Sequence, residues 1–105
     1  MKRGEIYWAD MPPPSGRRPL LVLSRSKAIP FLTSVVVAEV SSTIRDIPSE
    51  VRLGKREGLP KPCVASMDSI HTVPKEALDD EATGELPSRR FRELDDALRF
   101  TLDVR

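Results

Sequence analysis

The sequence predicts a mainly β fold with one α-helix: five or six short strands in a strongly curved sheet or barrel, closed by a C-terminal amphipathic helix. Three observations carry this. The chain has 105 residues, which is room for one domain, 1–105, with a modest core. Its ten prolines are spread along it and cut it into short runs of strand character. Helical spacing of apolar residues appears convincingly only near the C-terminus.

Each element follows in order. Glu5–Met11 alternates loosely and holds Tyr7 and Trp8, aromatics that favour strands. Leu20–Leu23 and Val35–Ala38 are continuous apolar runs, as expected of strands buried on both faces. Ser49–Leu53 alternates polar and apolar, so it reads as half exposed. Cys63–Met67 and Ser69–Val73 flank Asp68 and give one or two more strands. Pro19 and Pro48 are expected at strand starts, since proline donates no ladder hydrogen bond. A short turn or helix is expected at Lys75–Leu78. In the final segment Ser88 follows Pro87 as an N-cap, and Phe91, Leu94, Leu98 and Leu102 line one face. Glu93, Asp95, Asp96 and Arg99 stay solvated on the other.

Composition excludes several classes. Hydrophobic residues at 39% and charged residues at 31% describe a foldable, water-compatible chain. One cysteine, Cys63, excludes an intrachain disulfide and a multi-cysteine zinc site. One histidine, His71, excludes a paired-histidine metal or nuclease centre within the chain. No apolar run is long enough to span a bilayer, and no apolar signal core follows the N-terminus. No membrane association and a reducing cytoplasm are the expectation. The net charge of +1 hides a split: residues 1–62 carry +5, and residues 63–105 carry −4. The acidic residues, including Asp79, Asp80 and Glu81, are expected around the terminal helix, away from the basic half.

The candidate chemistry sits in that basic half. Gly16-Arg17-Arg18-Pro19 enters one buried strand, and Ser41-Ser42-Thr43-Ile44-Arg45 leaves another. Such junctions are where a rigid sheet holds functional side chains on its rim. Guanidinium groups grip phosphate bidentately and hydroxyls bond the same oxygens, so together they stabilise a phosphorane without a metal. Blander readings stand beside these: solvated arginines, a Ser-Ser-Thr turn, an ordinary strand histidine at His71, and Trp8 packed in the core. Alternatively, Trp8 stacks a base near the basic rim. Cys63 reads as a small buried hydrophobe.

In order along nearly the whole chain, these pieces resemble the MazF/PemK/Kid toxin family. Lys2-Arg3-Gly4-Glu5-Ile6-Tyr7-Trp8-Ala9-Asp10 is similar to its opening strand, and Gly16–Ser24 to its arginine-proline strand. Ala38-Glu39-Val40-Ser41-Ser42-Thr43 falls at its hydroxyl-bearing strand exit. Gly58-Leu59-Pro60 through Asp68-Ser69-Ile70-His71-Thr72-Val73 is close to its acidic-Gln-Ile-Arg-Thr strand, and Leu94–Leu98 matches its terminal helix.

The resemblance implies an SH3-like, CcdB/PemK-like barrel that works as a homodimer, needs no cofactor or metal, and cleaves single-stranded RNA, chiefly messenger RNA, sequence-specifically. The 2′-hydroxyl attacks, leaving a 2′,3′-cyclic phosphate and a 5′-hydroxyl. A MazE-like antitoxin with an acidic disordered tail is the implied partner. Carried over by position, Arg18 and Ser41 are the implied catalytic pair. Trp8, Arg17, Ser42, Thr43, Arg45 and His71 are the candidate RNA contacts. Two departures bear on base preference: the hairpin loop is cut to Pro12-Pro13-Pro14-Ser15-Gly16, and Ser69 and His71 replace the family's Gln and Arg. A CcdB-like toxin that inhibits DNA gyrase is the second reading.

Overall fold

The computed structural model describes residues 1–105. Six strands form one antiparallel sheet: β1 (Glu5–Met11), β2 (Gly16–Val22), β3 (Ser34–Ser41), β4 (Glu50–Leu53), β5 (Cys63–Pro74) and β6 (Gly84–Glu85). One helix, α1 (Phe91–Leu102), ends the fold. The strand order is β4-β5-β3-β2-β1-β6, and the sheet curls into a half-barrel.

Both faces of the sheet are covered, which is why β2 and β3 read as continuous apolar runs. Leu20, Leu21 and Val22 are each fully buried. Leu21 joins Ile6, Ala38, Met67, Leu94 and Ala97 on the helix side. Leu20 and Val22 join Tyr7, Val35, Val37, Ile29 and Leu78 on the other. The expected turn after β5 is present as a 3-10 turn at Lys75–Ala77.

Several local expectations are corrected. Pro48 precedes β4, but Pro19 lies inside β2, opposite Trp8 of β1. It fits because β2 pairs with β3 only from Leu20 onward. The segment 63–73 is one strand, and Asp68 lies in a bulge: Ala38 pairs with Ile70, but Glu39 pairs with Ser66. Ser49 Oγ donates to Asp68 at 2.6 Å, anchoring that bulge to the start of β4. Ser88 opens a 3-10 turn without capping α1, and Arg90 occupies the cap position. The Arg90 guanidinium binds Glu93, Glu57 and the Arg52 carbonyl, fastening the helix start to β4. Along the helix stripe Leu94 is buried and Phe91 and Leu98 pack beside it, whereas Leu102 is exposed. Asp95 of the polar face pairs with Arg3 at 2.9 Å.

One backbone contact positions a wall of the site. Gly58 has φ +91, and Gly84 lies so close that an added Cβ would stand 1.8 Å from the Glu57 carbonyl oxygen. Side chains are excluded there, and the segment leading into Leu59-Pro60-Lys61 is pinned against β6.

Candidate active site

The site begins where β2 and β3 part. The Leu23 N–H donates to the Val36 carbonyl at 2.8 Å, so every second residue of β2 aims its nitrogen at β3. In this register the nitrogen of residue 19 faces the Val40 carbonyl, and Pro19 has no proton to give. The ladder stops there, and the Arg18 guanidinium takes over the orphaned acceptor: Nη1 donates to the Val40 carbonyl at 3.5 Å.

Arg18 is held firmly. Its Nε and Nη2 both donate to the Ser15 carbonyl, at 3.2 and 2.9 Å, so the short hairpin loop serves as its brace. Nε also lies 3.4 Å from Glu39 Oε1. Three of the five guanidinium N–H groups are thereby committed to carbonyls, and two remain for a ligand.

Ser41, the last residue of β3, stands beside it. Its Oγ accepts the Thr43 N–H at 3.1 Å, so it is both a turn former and a rim hydroxyl. Two clefts meet at Arg18 and Ser41. One, of about 190 Å³, is lined by Trp8, Arg17, Pro19, Val40, Ser42, Leu59, Pro60, Lys61 and Cys63. The other, of about 180 Å³, is lined by Glu39, Thr43, Arg45, Glu50, Ser66 and Ser69. The first offers aromatic and apolar walls suited to a base, the second mostly hydroxyls and charges. In the first cleft burial pushes the Cys63 thiol up, with Glu57 adding to the effect, so it stays a neutral hydrophobe.

The structure thus brings together seven of the eight residues singled out in the sequence. Their division was not foreseen. Strand alternation sends Arg17 and Arg18 to opposite faces. Arg17 lies 5.9 Å from the Trp8 ring centroid and binds Asp79 Oδ2 at 2.5 Å, with Asp10 Oδ1 at 3.5 Å. Its bond to Asp79 raises this guanidinium further above its ordinary range. Asp79 therefore sits beside Arg17 of β2, correcting its expected place near the helix. The cause is a backbone hydrogen bond, Asp79 N–H to the Trp8 carbonyl at 2.9 Å, that draws residue 79 to β1. His71 lines neither cleft but touches Glu39, which does. Glu39, Lys61 and Ser66 were not anticipated; only strand pairing and loop closure reveal them.

Known proteins resemble this chain along nearly its whole length. A model of the PemK-like, MazF-like toxins of type II toxin–antitoxin systems matches residues 2–102. A Mycobacterium tuberculosis protein named probable endoribonuclease MazF5 is 37% identical over 102 residues, covering 96% of this chain and 92% of that protein. Among solved structures, Mycobacterium tuberculosis toxin MazF-mt6 is similar with a TM-score of 0.88 and 31% identity, covering 96% of this chain and 98% of that one. A mycobacterial endoribonuclease in complex with its cognate antitoxin gives a TM-score of 0.86 at 27% identity, covering 100% of this chain and 97% of that one. With matches that run nearly end to end on both sides, the chain belongs to the PemK-like, MazF-like toxin family of type II toxin–antitoxin systems.

Proposed function

We propose that this protein is a cytoplasmic toxin that acts as an endoribonuclease on single-stranded RNA, with Arg18 and Ser41 as its catalytic pair. The observation that carries the reading is Arg18, braced by two carbonyls with two N–H groups left free beside the Ser41 hydroxyl. A phosphodiester seated there receives two charge-assisted hydrogen bonds on its non-bridging oxygens and a third from Ser41. Those bonds strengthen as negative charge grows in the phosphorane, so they lower the barrier to attack by the 2′-hydroxyl. Arg18 supplies the positive charge, and the reaction so described needs no metal.

The flanking nucleotide enters the first cleft, where Trp8 provides a stacking face and Arg17, Ser42 and Lys61 line the way. Thr43 and Arg45 line the second cleft for the nucleotide on the other side. A homodimer and an acidic antitoxin segment competing for the same groove complete the proposal; a mycobacterial relative is solved in complex with its cognate antitoxin. The relatives' endoribonuclease names and the arginine–hydroxyl pair favour this over gyrase inhibition.

Incubating the protein with a long mixed-sequence RNA in EDTA tests the reading. Discrete fragments ending in 2′,3′-cyclic phosphate are expected. Intact RNA together with inhibited supercoiling would reverse the assignment.

A further inference from the structure

Attack by the 2′-hydroxyl requires a group to take its proton, and the catalytic pair supplies none. A guanidinium stays protonated at working pH, and an unassisted serine hydroxyl is a poor base. Ser41 Oγ already accepts the Thr43 N–H. The one imidazole, His71, lines neither cleft, so carboxylates remain: Glu39 and Glu50 line the polar cleft, and Asp10 and Asp79 bind Arg17. Asp10 and Asp79 lie on the opposite face, held by Arg17. Glu50 Oε1 accepts the backbone N–H groups of Arg45 and Asp46, both at 3.0 Å, and caps a turn.

Glu39 differs. It stands two residues before Ser41 on β3, so both side chains leave the same face of the strand. Its carboxylate lines the polar cleft with Arg18 and Ser41. The two oxygens are held unequally. Oε2 receives a close N–H from His71 Nε2. Oε1 has only the Ser15 hydroxyl at 3.3 Å and Arg18 Nε at 3.4 Å, long contacts that a ligand oxygen readily replaces. His71 pairs with Val37, one step diagonal from Glu39, and the β5 bulge removes the residue that regular pairing would set opposite Glu39. Arg18 keeps its place without Glu39, because the Ser15 carbonyl accepts from both its Nε and its Nη2, at 3.2 and 2.9 Å.

We infer that Glu39 is the general base of the cleavage step, with His71 as its positioning residue; this rests on the endoribonuclease reading above. The 2′-hydroxyl proton passes to Glu39 Oε1 as the 2′-oxygen bonds to phosphorus. The bond from phosphorus to O5′ breaks, its electron pair leaves on O5′, and that oxygen takes a proton from water. Glu39 then returns its proton to solvent, so no proton or electron is gained or lost overall. The His71 N–H holds Oε2 and thereby turns Oε1 toward the cleft. Facing Glu39 are Arg18 from β2 and His71 from β5, with Arg45 and Glu50 across the cleft.

The test compares wild type, Glu39→Gln, Glu39→Asp and His71→Asn on one mixed-sequence RNA and on its 2′-O-methylated copy, which binds without being cleaved. Glutamine keeps the shape and an acceptor for Arg18. It should slow cleavage about 100-fold or more and abolish the acid limb of the pH–rate profile. Binding of the methylated RNA should hold or tighten, and Glu39→Asp should recover part of the rate. His71→Asn should displace the acid limb with a smaller loss of rate. Thermal melts refer each rate to the folded fraction. Wild type cleaving while Glu39→Gln matches or exceeds it would overturn the inference alone, making Glu39 an internal competitor for Arg18. A wild type that leaves RNA intact would overturn the nuclease reading as well.

Discussion

Replacing Arg18 by alanine removes the two guanidinium N–H groups left free for a phosphate. A hydrogen bond to a charged group is worth about 1.5–3 kcal/mol, so the pair carries about 3–6 kcal/mol of transition-state stabilisation. That corresponds to a rate loss of roughly 10²–10⁴-fold. Lysine restores a charge but has no fork with which to hold the Ser15 and Val40 carbonyls while facing a ligand, so Arg18→Lys should fall between. The side chain borders solvent, and water can reach the carbonyls it abandons. The melting free energy should therefore change by only about 1 kcal/mol. Single-turnover cleavage of a mixed-sequence RNA, with a thermal melt of each variant, reads both quantities. A folded Arg18→Ala protein cleaving within about threefold of wild type would refute phosphate binding at the β2–β3 gap, because two such bonds cannot be worth so little.

Other outcomes follow from the same geometry. Ser41→Thr keeps the hydroxyl and should remain active, whereas Ser41→Ala should lose most cleavage; normal cleavage by the alanine variant would place the catalytic hydroxyl elsewhere. Pro19→Ala gives residue 19 an N–H that can reach the Val40 carbonyl, displacing Arg18 Nη1. Cleavage should fall while stability moves by no more than about 1 kcal/mol, since one added ladder bond is offset by a freer unfolded chain. Tyr7 is the only tyrosine, so its absorbance titrates one group. Burial, then the hydrogen bond it donates to Glu5, pushes its pKa up to about 12. The stability gained from a neutral phenol is whole below the unfolded value near 10 and is lost as pH rises toward 12. A midpoint near 10 in the folded protein would contradict the burial.

Much of this fold was legible because apolar runs and aromatics mark strands locally. Glu5–Met11 emerges with the bounds its composition suggested. The failures share a cause, dependence on a distant partner. Pro19 was assigned to a strand start because an interior proline ordinarily breaks a ladder; it is tolerated because β3 has already diverged. Around Asp68 the sequence left one or two strands open, and Ser49, just before β4, holds that residue in a bulge of a single strand. Arg18 and Ser41 were visible at strand ends. Glu39 was not, since an isolated acidic residue in a strand has no local signature, and its meaning comes from Arg18 and His71 across the sheet. Asp79 was misplaced because loop closure, absent from any sequence pattern, brings it to Arg17.

The glycine contact between residues 58 and 84 bears on how the protein can change over time. It welds the Leu59–Lys61 wall to the sheet, so that flank of the groove admits few substitutions without moving main chain. The β1–β2 hairpin beside Arg18 is built differently: Pro12, Pro13 and Pro14 are exposed, and Ser15 is the loop residue tied to Arg18. The tip of the β1–β2 hairpin is therefore free to change without moving main chain. New preferences can arise there while the brace on the arginine stays in place.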